Sequence, residues 1–216
     1  MQDTLYTSTA NNRTDNSVSK SELRRRNTQN LIKNALYTLI EKQDFNKISV
    51  EDICAQANVV RKTFYNHFTD KRDVLQALYL DITLTDSASN TRRIITEYHS
   101  TADRIEALFR HQRERIEHYG IGRKKVLQAK ILHSTPAGKY HELKQDFDES
   151  LQELFRSGQQ AGDTSKSFSP KFLANIVYSA LSNTTTQWIE DEQFNLEENE
   201  QLVCQYLKKV VKLESN

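Results

Sequence analysis

A chain of 216 residues with 5 glycines, 2 prolines and 2 cysteines is long enough to bury a core without a disulfide or a metal, and apolar positions recur at helical spacing almost throughout. Cys54 and Cys204 lie far apart in apolar helical patterns, which suits a reduced compartment better than a disulfide framework. The net charge of +1 conceals an asymmetry: residues 20–72 hold 11 Lys and Arg against 6 Asp and Glu, residues 73–216 hold 18 against 21, so attraction to a polyanion belongs to the first part.

Met1 to Ser19 is rich in Thr, Asn, Ser and Asp and has too few large apolar residues to offset its ordering entropy, so a disordered tail is expected over residues 1–19. It lacks the apolar region of a signal peptide, and no run approaches the roughly 18 apolar residues of a membrane span. A cytoplasmic protein without membrane contact is the expectation. A first helix carries the stripe Leu31, Ile32, Ala35, Leu36, Leu39 and Ile40 and ends near Gln43. Ser49 then caps a second helix, Asp52 completes a capping box, and Ile48 with Ile53 supplies a hydrophobic staple. That helix runs to about Gln56, and Asn58 takes the left-handed conformation that turns the chain. A short third helix spans Val60 to about Phe68, and Asp70 with Asp73 opens a fourth, stapled by Phe68 on Val74.

The later stripes are ordinary core patterns: Ile105, Leu108, Phe109 and Ile116; Val126, Leu127 and Ile131; Leu143, Phe147, Leu151, Leu154 and Phe155. Breaks are expected near Gly120, Gly122, Gly138 and from Gly158 to Gly162. Ser169 and Pro170 form an N-cap and first position for a helix bearing Phe172, Leu173, Ile176, Val177, Ala180, Leu181 and Trp188. A last helix bears Leu202, Val203, Tyr206, Leu207, Val210 and Val211. The fold class is all-α.

Two short helices joined by a tight turn, the second basic at its start, have the geometry that enters a DNA major groove. The run from Phe45 through Ser49-Val50-Glu51-Asp52-Ile53 to Val59, then Thr63-Phe64-Tyr65-Asn66-His67-Phe68, then Lys71 and Leu75, resembles the TetR family of transcriptional regulators over roughly residues 27–80. The resemblance implies an N-terminal three-helix helix-turn-helix domain, residues 20–72, followed by a helical ligand-binding and dimerisation domain, residues 73–216. Carried onto matching positions, it makes Arg61, Lys62 and Thr63 the residues that first enter the groove, reading guanine edges or clamping phosphate. Tyr65 and His67 hold phosphates, Asn66 touches a base or a phosphate, and Lys71 matches a phosphate contact at a helix start. Phe64 and Phe68 belong to the core. Ser49 is mainly a cap within the DNA-binding set. The sequence departs from the family pattern at Val50, where a hydroxyl residue is usual, at Asn58, which replaces a turn Gly, and at Val60, which replaces a small polar cap.

The implied partners are a near-palindromic double-stranded DNA operator, a second copy of the chain bound through the last two helices, and an unidentified small-molecule effector that relieves repression. Half-sites would lie roughly 34 to 36 Å apart, about one helical turn. His111 and His118 share a helix face, with His133 and His141 nearby, but no carboxylate or Cys joins them at ligand spacing, so no metal is expected. No phosphate loop, nucleophile elbow or catalytic carboxylate pair is present, so neither an enzyme nor a cofactor is expected.

Overall fold

A computed structural model describes residues 19–132 and 138–211, and all regular structure among them is helical. The expected N-terminal tail lies outside the described residues except for Ser19, as does His133, and the side chains of His118 and Ile131 are likewise outside them. Helix α1 (Lys20–Lys42) starts well before its apolar stripe because the Ser19 hydroxyl accepts from the Glu22 amide at 3.2 Å. A 3₁₀ turn (Phe45–Lys47) leads to α2 (Val50–Ala57), α3 (Arg61–Tyr65) and α4 (Lys71–Thr83). Then follow α5 (Ser87–Glu97), α6 (Thr101–Leu132), α7 (Gly138–Ala161), α8 (Pro170–Glu190) and α9 (Leu196–Val211).

The breaks expected at Gly120 and Gly122 do not occur: α6 passes through both without interruption. Packing is the reason at Gly122, where a Cβ would stand 2.6 Å from the Tyr37 ring and 2.9 Å from Glu41 Cγ on α1. The glycine there permits close approach of two helices. Gly158 likewise lies within α7, seated against Thr101 and Thr164, and the chain turns only at Gly162, in the left-handed region at φ 80°.

Two apolar clusters organise the molecule. The first gathers Ile32, Leu36 and Ile40 of α1, Phe45, Ile48, Ile53, Phe64 and Phe68, and Val74, Leu75, Leu78 and Ile82 of α4. It also takes Val126 and Leu127 of α6 and Ile189 of α8. The second joins Leu80 and Leu84 to Ile105, Leu108, Phe109, Phe147, Leu151, Phe155, Val177, Leu181 and Leu207. Helix α4 therefore has one face in each core. Polar bonds reinforce this joint: Lys33 of α1 pairs with Asp81 of α4, and Lys125 Nζ of α6 donates to Glu41 O at 2.6 Å.

On α8 and α9, large apolar side chains remain in water. Phe172 and Ile176 are one turn apart on α8, and Leu202, Tyr206 and Val210 form an i, i+4, i+8 row on α9. No helix among the described residues is long and apolar enough to cross a membrane.

Candidate nucleic-acid interface

The interface is built from the cap of α2 outward. Ser49 Oγ accepts from the Asp52 amide at 3.1 Å, while the Asp52 carboxylate accepts from the Ser49 amide at 2.8 Å and its hydroxyl at 2.7 Å. These bonds hold the Asp52 carboxyl below its ordinary range and fix the start of α2. At the other end Asn58 sits at φ 53°, ψ 45°, and its amide bonds back to Ala55 O, so the asparagine performs the turn in place of glycine. Val60 caps α3 without a side-chain bond, and the helix is shorter than expected, Arg61–Tyr65. The chain leaves it in tight turns in which the His67 and Phe68 amides both donate to Phe64 O at 2.9 Å.

This short helix has two unlike faces. Phe64 is fully buried and anchors it, a side chain whose burial contributes roughly 1.5–3 kcal/mol. Arg61, Lys62, Tyr65 and Asn66 point into water, and Thr63 and His67 are half-buried beside them. Tyr65 is 48% exposed. The Arg61 guanidinium lies 5.9 Å over the Tyr65 ring and 2.8 Å from Glu51 of α2, so it is held over the surface by one neighbour on each side. Its bond to Tyr65, then the charge of Glu51, push its pKa further up. His67 Nδ1 is buried with no hydrogen-bond partner among the described residues.

Lys71, at the start of α4, makes its bonds within the chain. Its ammonium turns inward, donating to Ile48 O at 2.6 Å, Phe45 O at 3.0 Å and Asn46 O at 3.2 Å, and it stands 4.7 Å over the Phe45 ring. Burial is the main cause that lowers its pKa. Lys71 thus closes the loop before α2 onto the start of α4. Sequence spacing could not show this, because the three carbonyls lie 23 to 26 residues earlier in the chain.

Away from this surface, α4, α5, α6, α7 and α8 line a partly open cavity of about 190 Å³. Its polar wall includes His111, Gln112 and Arg115 of α6 and Thr185 of α8; Gln112 Nε2 donates to Leu181 O at 2.7 Å and to Thr185 Oγ1 at 2.5 Å. Of these, the sequence draws attention only to His111, and there as a possible metal ligand; Gln112, Arg115 and Thr185 resemble a solvated helix face. The available signal is their spacing, which sets 111, 112 and 115 on one side of a helix. Among the described residues no three His, Cys, Asp or Glu gather as metal ligands.

Residues 32–78 match the family model described as bacterial regulatory proteins, tetR family. The uncharacterized HTH-type transcriptional regulator YxbF of Bacillus subtilis (strain 168) is 40% identical over 53 residues, which are 24% of this chain and 14% of that protein. The chain thus spans only about 14% of the length of that curated relative. In fold, the chain is similar to the transcriptional regulator FadR from Bacillus subtilis, solved in complex with stearoyl-CoA, with a TM-score of 0.67 at 18% identity over 84% of this chain and 98% of that one. It is also similar to NalD, the secondary repressor of the MexAB-OprM multidrug efflux pump in Pseudomonas aeruginosa, with a TM-score of 0.63 at 16% identity over 88% and 100% of the two chains.

Proposed function

We propose that this chain, which belongs to the tetR family of bacterial regulatory proteins through its residues 32–78, represses transcription as a homodimer on a near-palindromic DNA operator and releases it when a small molecule enters the helical domain. The observation that carries the reading is the outer face of α3, where Arg61, Lys62, Tyr65 and Asn66 project from a helix that Phe64 fixes to its core. Five residues make less than two turns, which is enough to lay a few side chains along base edges and phosphates. Arg61 and Lys62 supply donors for guanine edges or phosphate, with Thr63 beside them. Tyr65 and His67 take phosphates, Asn66 a base or a phosphate, and Ser49 sets the cap that aims α3. Lys71 serves the site by holding the loop before α2, not by reaching the DNA.

The division into a reader, residues 20–72, and an effector and dimerisation domain, residues 73–216, goes with this function. The exposed rows on α8 and α9 support a four-helix dimer interface, since such apolar rows are rarely left in water by a lone chain. A small-molecule effector is supported by the cavity, and by the fold likeness to a regulator solved with stearoyl-CoA. Coupling follows if the effector prefers a state in which the two readers are wrongly spaced. Selection of duplexes from a random-sequence pool by the full-length protein tests the reading. Dyad-related half-sites roughly 34 to 36 Å apart are expected, whereas a pool without a motif would contradict it.

A further inference from the structure

The cavity carries more information than its presence. At about 190 Å³ it exceeds the cavity of about 150 Å³ that suffices for benzene, and it falls below the roughly 300 Å³ at which pockets for drug-sized ligands begin. It suits a single ring or a short chain. Its apolar wall includes Leu108, Phe147 and Leu181, and its ionisable lining, apart from Tyr79 and Tyr178, is His111 and Arg115; no Asp or Glu is among the residues described around it. Acids stand near but not on the wall: Glu114 acts on His111 from the exposed side of α6, and Asp148, beside Phe147, pairs with Lys144 at 2.8 Å. Asp81 pairs with Lys33, and Glu97 chelates Arg93 at 2.9 Å. Arg93 of α5 also bonds Asn90 Oδ1 at 2.8 Å, and Asn90 is on the cavity wall, so a second guanidinium, itself paired with Glu97, stands behind that side.

Arg115 is also a structural joint. Its Nη2 donates to Ile82 O at 2.7 Å and Asp81 O at 3.1 Å, and its Nη1 to Ser87 Oγ at 3.3 Å. Those carbonyls belong to the last turn of α4, the helix whose first residue is Lys71. One guanidinium therefore touches both the cavity and the helix shared by the two cores.

We infer that the cavity binds a compact amphipathic carboxylate, its apolar body among Leu108, Phe147 and Leu181 and its head on His111 and Arg115, and that this head draws Arg115 away from the α4 carbonyls. The second half rests on the reading of the chain as a ligand-relieved DNA regulator; the first half does not. A carboxylate offers Arg two parallel charge-assisted bonds, which carbonyl oxygens cannot match. Freed at its C-terminal turn, α4 shifts against α1 and carries the reader with it.

Calorimetric titration of the full chain without DNA tests the ligand class, with 3-phenylpropionate and octanoate as probes against 3-phenylpropanamide and 1-octanol. The acids should bind about tenfold tighter than their neutral counterparts. His111→Gln and Arg115→Gln should each remove that preference, and Thr185→Phe, which fills the cavity from α8, should abolish binding of all four. If Arg115→Gln does not fold, judged by circular dichroism, His111→Gln carries the comparison alone. Equal affinity for acid and neutral probes, no binding by any probe, or binding that survives Thr185→Phe would overturn the inference. A second arm reads the joint: 3-phenylpropionate should weaken binding to the selected duplex by about tenfold in the natural chain, and an unchanged DNA affinity at saturating acid would refute the displacement of Arg115. Acid preference without any DNA motif would sink the regulator reading alone, while a DNA motif without acid preference would sink this inference alone.

Discussion

Replacing Lys71 with Met removes an ammonium but keeps most of the stem that packs on Phe45. The cost can be worked from the bonds it makes: one short bond to Ile48 O at 2.6 Å and two longer ones at 3.0 and 3.2 Å. A hydrogen bond to a charged group contributes about 1.5–3 kcal/mol net, and the longer pair adds less because water can replace it. The ammonium over the ring at 4.7 Å adds about 0.5–1 kcal/mol. Relief from desolvating the ammonium works the other way. A destabilisation of about 2–3 kcal/mol remains, which in a chain of this size lowers the melting midpoint by roughly 5–10 °C. Circular dichroism melts measure it. The companion assay is the slope of log affinity against log salt on the selected duplex, which becomes shallower by about 0.9 for each phosphate the protein no longer neutralises. An inward-turned Lys71 predicts a lower melting point and an unchanged slope per protomer. An unchanged melting point with a reduced slope would refute the inward placement and restore Lys71 as a phosphate anchor.

Other outcomes follow from the same structure. Phe64→Ala empties the fully buried anchor of α3 and should cost about 3–5 kcal/mol in urea unfolding, with DNA binding abolished before global unfolding. Burial, then the charges of Arg115 and Arg93, depress the pKa of His111. The unfolded chain therefore takes up a proton first as pH falls below about 6.5, so stability present above that value is lost on acidification through the folded pKa. His111→Gln should flatten that part of a stability profile, and an identical profile in the variant would remove His111 as its source. Tyr206→Glu places a charge on the exposed row of α9, where the side chain is 64% exposed. Sedimentation at micromolar concentration should show a dimer in the natural chain and monomer in the variant, with helicity retained.

What can be read in the sequence divides along the range of the interactions. The Ser49–Asp52 box, the Asn58 turn and the Ser169–Pro170 start of α8 are set by residues within a few positions of one another, and each stands where local chemistry puts it. The all-helical class and the burial of Phe64 and Phe68 follow from periodicity and from the motif. Gly122 misleads because a glycine in a helical pattern carries the same letter whether it breaks a helix or admits a neighbour, and Tyr37 lies 85 positions away from it. Lys71 and the cavity share this difficulty: their meaning resides in partners from other helices. Helix α3 is shorter than its pattern suggests because Asn66 and His67 continue its hydrogen-bonded turns past the last helical residue.

The central claim is that the outer face of α3 grips double-stranded DNA. Its most direct test is a titration of the selected duplex at fixed salt with the natural chain and with an Arg61→Ala, Lys62→Ala, Tyr65→Phe variant, all three positions being exposed and outside the core. Removal of one guanine-reading or phosphate-clamping cation costs about 1–3 kcal/mol, so the combined change should weaken binding at least about a hundredfold while the melting point stays put. An affinity within a factor of about two of the natural chain would contradict the account.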